Sequence, residues 1–218
     1  EVGSEVQKVT KGDFVISPFA WADNTCPICR DGFQTACPHG GFFSAAQAEY
    51  VRVPQADGTL VVTEATDDEA TLKSLLTLSD VYLTGYHAAF MAKVQPGQTV
   101  TVVGDGAVGL SAVLAAKTMG AERIILMGRH TDRTDLGRRF GATDVVAERG
   151  KTGIAQVREL TGGEGSHVVL EAVGHRPAYD QSVAVVRAGG VISRVGVPQY
   201  DEAPVGFASL FGRNITLT

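Results

Sequence analysis

"VTVVGDGAVGLSAVLAAKTMG", residues 100–120, places Gly104-x-Gly106-x-x-Gly109 between an apolar β-rich run and an alanine-rich helical one. The glycine spacing alone is a weak signal, but directly after a strand and at the mouth of a helix it marks a dinucleotide-binding turn. Gly104 allows the tight turn, Gly106 lets a pyrophosphate approach the backbone, and Gly109 lets the helix pack closely on the strand. The helix start then offers N–H groups and partial positive charge to the phosphates, with Val108, inside the turn, counted among the cofactor-binding residues. A strand-to-helix turn without a ligand is the alternative for the same residues.

Outward from this turn, the runs "TVTVVG", "ERIILMG", "TDVV", "HVVLEAVG", "GGVISRVG" and "NITLT" alternate with helical segments from Thr99 onward. Six buried strands with helices between them predict a doubly wound parallel α/β sheet. From Glu1 to about Val62 the chain instead shows short alternating runs, such as "DFVISPF" and "AEYVRVP", divided by Gly, Pro, Asp and Asn. That period predicts an all-β piece, half a barrel. Helical spacing takes over from Asp67 to about Lys93, and the domain boundary is placed between residues 83 and 84.

The 218 residues, 44% hydrophobic and 20% charged, are sufficient for a buried core. A net charge of -5 argues against a nucleic-acid footprint, and no apolar run reaches bilayer length. Small molecules are the expected partners. The three cysteines, Cys26-x2-Cys29-x7-Cys37, cannot form a paired disulfide framework and suit a metal loop in a reducing, cytoplasmic compartment. That loop is one ligand short. The chain opens without Met inside an alternating pattern and stops on "NITLT", so it is expected to be part of a longer protein.

Choice of nucleotide falls to the end of the second strand of the dinucleotide fold, where an NAD binder usually places Asp or Glu on the ribose 2'-hydroxyl. Here "RIILMGRH" puts Gly128 at that position and Arg129 after it. A glycine leaves room for a 2'-phosphate and a guanidinium can pair with it, which favours NADP over NAD. Gly128→Asp is expected to reverse the preference. The alternative is a solvated Arg129 covering the adenine of either cofactor.

Taken together, "VGSEVQKVTKGDFV", the cysteine loop, "AEYVRVP", "TGYHAA", "GDGAVG", "GGEGSHVVLEAVG" and "GGVISRVGVP" stand in the order found in one family. The chain resembles the zinc-dependent, medium-chain alcohol dehydrogenases, and the resemblance implies a partial GroES-like β-barrel domain followed by a Rossmann domain. The family's lobe reads Cys-x2-Cys-x2-Cys-x7-Cys, so alignment on the seven-residue gap puts Asp23 in the first ligand position. Zinc accepts a carboxylate oxygen beside three thiolates. Closure by His39, by water, or an absent metal with Asp23 as a turn residue remain open.

The resemblance also implies a catalytic zinc whose third ligand falls on Asp80, in "LSDVYLTGYHAA", and whose other ligands precede Glu1. On its own, Asp80 equally suits a helix cap. By position, Thr84 is expected near the nicotinamide, Ala172 and Val173 near its ribose, and Val195, Gly196 and Val197 near its carboxamide. Plain strand-end roles are the alternative for each. His87, His130, His167 and His175 show no metal spacing and are read as surface or packed histidines. "GGFFSAAQAEY" is shorter than the family's stretch at that point.

These readings converge on an NADP-preferring, zinc-dependent alcohol dehydrogenase acting on an alcohol or its carbonyl, assembled as a homodimer or homotetramer near "NITLT". With one catalytic ligand of three, the chain alone is expected to bind cofactor without turnover. The rivals are a zinc-free quinone reductase and a noncatalytic NADP-binding or redox-sensing module.

Overall fold

The computed structural model describes residues 1–44 and 46–218; Ala45, inside the short "GGFFSAAQAEY" stretch, lies outside them. The chain divides into two compact units, Glu1–Asp80 and Val81–Thr218.

In the first unit, β1 (Phe14–Ile16) pairs antiparallel with β4 (Val61–Thr63), and β2 (Ala20–Trp21) pairs antiparallel with β3 (Gly41–Phe42). Single-turn helices α1 (Pro27–Arg30) and α2 (Ala56–Thr59) intervene, and α3 (Glu69–Thr77) follows. Asp68 caps α3 by accepting the Thr71 N–H at 2.8 Å. The expected strand "AEYVRVP" does not form: Tyr50 is 90% exposed, and no strand among the described residues pairs with that segment. Alternation alone cannot hold a strand whose backbone groups have no ladder partner.

The second unit opens with α4 (Val81–Met91), then alternates β5 (Thr99–Val103), α5 (Ala107–Thr118), β6 (Arg123–Met127), α6 (Thr131–Phe140) and β7 (Asp144–Val146). It continues with α7 (Gly150–Leu160), β8 (Ser166–Glu171), α8 (Arg176–Val185), β9 (Val186–Arg194) and β10 (Thr216–Leu217). The six strands are all parallel, in the order β10-β9-β8-β5-β6-β7. Each expected run supplies one strand. Chain order reverses between β5 and β8, the topological switch point at which such sheets bind ligands beyond their carboxyl ends.

Both faces of the sheet are covered, which is why its strands read as continuous apolar runs. Val100, Val102, Ile124, Leu126 and Leu170 face the core beneath α4 and α5, while Val103, Ile125, Met127, Val169 and Ile192 face the core beneath α7 and α8. Among them Thr101 finds the Ser166 hydroxyl at 2.7 Å, so the buried polar pair is satisfied.

Small residues bring α4 against α5 almost backbone to backbone. A Cβ on Gly85 would lie 2.5 Å from the Ala112 nitrogen. Gly85→Leu is therefore expected to force the helices apart and cost about 1–3 kcal/mol, read as a lower denaturant midpoint in chemical unfolding.

Candidate metal lobe and cofactor cleft

The lobe is built around the single turn of α1. Pro27 at its first position fixes the helical φ without losing a needed donor, and the Cys26 sulfur caps the turn by accepting the Cys29 N–H at 3.4 Å. This directs Cys26, Cys29 and Cys37 into one buried group, with the sulfurs of Cys26 and Cys37 3.9 Å apart. The three sulfurs and a carboxylate oxygen of Asp23 all lie within 4.8 Å of one another.

Asp23 is held in that position from two sides. Its Oδ1 accepts the N–H groups of Thr25 at 2.9 Å and Cys26 at 3.0 Å, and its Oδ2 meets His39 Nδ1 at 2.5 Å. His39 thus grips the carboxylate from outside; the compact ligand group includes Asp23 and not His39. The His39 bond, helped by the two backbone donors, holds the Asp23 carboxyl well below the usual range. Burial, with Cys26 and Cys37 alongside, pushes the Cys29 thiol up to about 12. Burial also opposes ionisation of Cys37, but backbone bonds from Asp23 and His39 bring that thiol below its ordinary value. Three buried sulfurs beside a carboxylate form a donor set whose charge a divalent cation would offset.

The second site is a cavity of about 750 Å³ at the carboxyl ends of β5, β6 and β8, within the range of cofactor pockets. Gly104, Gly106, Gly128, Ala172 and Val173 line it. Gly104 takes φ +116°, which only glycine adopts readily, and a Cβ there would sit 2.9 Å from a Val173 methyl. Nothing lies within 4 Å of a Cβ on Gly106, so the N-terminus of α5 is bare toward the cleft. Gly109 packs inward, and Val108 lies in the first turn of α5, neither lining the cavity.

Gly128 is less open than the sequence implies. A Cβ there would fall 2.4 Å from the Cβ of Asp105, a buried residue of the glycine turn, so the expected simple swap to Asp meets an occupied space. Arg129 is exposed beside it. His130 donates to Asp105 Oδ2 from its backbone and meets the same oxygen with Nδ1, each at 2.9 Å. Asp105 is an unspecified position in the glycine pattern; a carboxylate between the glycines of a turn that leads into a helix N-terminus is the one signal that marks it.

Glu171, at the end of β8, is a lone acid inside an apolar run, with no motif to mark it. It is fully buried, and its Oε1 accepts the N–H groups of Val173 and Gly174, each at 2.8 Å. Its backbone carbonyl accepts the N–H groups of Val195 and Gly196. A Cβ on Gly196 would fall 2.2 Å from the Gly174 nitrogen. Ala172–Val173 and Val195–Val197 are thereby brought together, with Val197 79% exposed, although the second loop lies outside the cavity lining. Thr84 lies half-buried on α4.

Asp80 ends the first unit, on the wall of a separate apolar cavity of about 610 Å³ shared with Phe14, Phe19, Val51, Leu72 and Leu76. Of the remaining histidines, His167 is packed, its Nδ1 accepting the Thr99 N–H at 3.1 Å. The Asp23 lobe is the one group of three or more potential ligands among the described residues.

Residues 107–218 match the zinc-binding dehydrogenase family, and residues 1–64 match the alcohol dehydrogenase GroES-like domain. The chain belongs to the zinc-dependent medium-chain dehydrogenase/reductase family. It is 35% identical over 209 residues to zinc-type alcohol dehydrogenase B of Aspergillus flavus, covering 90% of this chain and 48% of that protein. It is 33% identical to the NADP-dependent isopropanol dehydrogenase of Clostridium beijerinckii, covering 89% of this chain and 57% of that one. The solved zinc dependent alcohol dehydrogenase 2 from Streptococcus pneumonia superposes with a TM-score of 0.90 at 32% identity, over 100% of this chain and 63% of its own. The chain thus spans about half to two-thirds of the length of the relatives it matches.

Glu171 gives a test within this family framework. Glu171→Ala would leave the N–H groups of Val173 and buried Gly174 without their acceptor and is expected to cost about 1–3 kcal/mol, whereas Glu171→Gln keeps an acceptor and costs less. Burial raises the Glu171 pKa above its ordinary 4.5, so the folded state keeps a proton that the unfolded chain has released. Its stabilising contribution is full below pH 4.5 and is lost as pH rises through the folded value. The difference in unfolding free energy between wild type and Glu171→Gln, followed from acid to neutral pH, should shrink or reverse along that course.

Proposed function

We propose that the protein is a zinc-dependent alcohol dehydrogenase, NADP-preferring, that moves hydride between a small alcohol and its aldehyde or ketone. The observation that carries this reading is the bare, glycine-lined N-terminus of α5 opening into the cleft at the switch point of the sheet. That end offers N–H groups and a positive dipole to a pyrophosphate. The nicotinamide supplies the carbon that gives or takes hydride, and the protein's part is to fix its ring and exclude competing chemistry. Ala172 and Val173 would bracket its ribose, the backbone of Val195, Gly196 and Val197 its carboxamide, and Thr84 its ring.

The lobe supports a structural zinc held by Asp23, Cys26, Cys29 and Cys37, since four protein donors leave no open position for substrate. His39 acts there as the outer partner that orients Asp23. Asp80 is the one residue here in the position of a catalytic-zinc ligand, on the wall of an apolar cavity suited to part of an alcohol's hydrocarbon. Arg129, the missing carboxylate at Gly128, and the NADP dependence in the name of the Clostridium relative support the cofactor preference. Assembly as a homodimer or homotetramer and a cytoplasmic location complete the reading. No helix among the described residues is long and apolar enough to cross a membrane. The lobe and Asp80 argue against a zinc-free quinone reductase.

Metal content of the complete protein tests the assignment: two zinc ions per subunit, with NADP-dependent oxidation of a simple secondary alcohol, is the expected result. One ion and no turnover would support the noncatalytic module instead. Asp23→Ala should lose the lobe's ion, while His39→Ala should keep it with about 10–100-fold weaker affinity in a chelator competition.

A further inference from the structure

In a dinucleotide fold of this type, the acid that holds the adenosine ribose is borne at the end of the second strand. Position 128 is glycine, yet an acid still reaches that place. The ideal Cβ position at Gly128 lies 2.9 Å from both Cγ and Oδ2 of Asp105, so the phosphate-binding turn itself puts a carboxylate where a side chain on 128 would enter. Asp105 is 6% exposed and lines the cleft with Gly128.

A bare carboxylate at this point would repel a 2'-phosphate and welcome a 2'-hydroxyl. It is not bare. Both bonds from His130, backbone and ring, converge on the same Oδ2, and the His130 side chain is 41% exposed at the rim of the turn. Burial works to raise the Asp105 pKa, but the His130 bonds outweigh it and keep the carboxyl below its ordinary value. The charge is therefore present at neutral pH, with the imidazole lying against it and the exposed Arg129 one residue away.

We propose that the Asp105–His130 pair is a cofactor-specificity device: His130 occupies the Asp105 carboxylate so that the cleft tolerates a 2'-phosphate, which Arg129 then pairs with. The inference rests on the cleft being the nicotinamide-cofactor site and deepens the NADP reading there. Without His130, Asp105 faces the ribose as the acid of an NAD binder does. Without the Asp105 charge, selection against the phosphate falls away. Selectivity would then be set by two residues of neighbouring turns and not by position 128 alone.

The test is the ratio of dissociation constants for NADPH and NADH, from nucleotide fluorescence titrations of the complete protein and its variants Asp105→Asn, His130→Phe and His130→Gln. Circular dichroism confirms folding. Asp105→Asn should move the ratio toward NADPH by about tenfold, and His130→Phe should move it toward NADH by about as much. His130→Gln, which keeps a side-chain donor, should fall between His130→Phe and wild type. The histidine variants retain the backbone bond to Asp105 and keep the question answerable if Asp105→Asn fails to fold. Ratios within about twofold of wild type in the folded variants would overturn the proposal. The wild-type ratio alone judges the NADP reading: a protein that prefers NADH refutes it, yet opposite shifts from the two sites would still uphold the pair. A folded wild type that binds neither nucleotide overturns both.

Discussion

The second unit depends on how closely α5 approaches the end of β5. A Cβ on Gly109 would fall 2.0 Å from the carbonyl oxygen of Gly104, a distance no side chain survives. Only glycine there lets the helix start directly over the strand, and only that start aims its free N–H groups at the cleft. The contact also seats the alanine-rich face of α5 on the sheet and leaves α4 to close over it, Gly85 against Ala112. One missing methyl group thus links the packing of the core to the orientation of the binding site.

The Rossmann half was legible in the sequence because its physics is local. Each strand is buried on both faces and announces itself as an apolar run, and each turn carries its own glycine. The barrel half was less so. "DFVISPF" contributes β1 at Phe14–Ile16, but "AEYVRVP" has the right alternation and no partner to complete its ladder, a non-local requirement that periodicity cannot express. The Asp67–Lys93 helical stretch likewise resolves into two helices, because α3 and α4 belong to different compact units and only α4 buries residues in a core.

Site residues divide in the same way. Cys26, Cys29 and Cys37 could be named from spacing: a one-turn helix fixes the sulfurs of the first two, and a separate 3-10 turn ends on the third. Spacing alone leaves Asp23 and His39 both open; the family resemblance favours Asp23, and three-dimensional placement separates the residue facing the thiols from the one facing its back. Asp105 and Glu171 were hidden for opposite reasons, one inside a motif defined by its glycines and the other inside a hydrophobic run. Both are buried acids at strand ends, and both owe their positions to backbone N–H groups they accept from.

Asp105 and position 128 share a single small volume, and that sharing constrains the paths by which this protein can change. The closest contact is with the Asp105 Cβ, so a side chain at 128 becomes tolerable only where residue 105 gives up its own Cβ or shifts, and loss of the Asp105 carboxylate releases His130 from its anchor. Substitutions at the three positions are therefore expected to be non-additive. Of the three positions, 128 is thus the one whose glycine is held in place by its neighbours, and the last that can take a side chain.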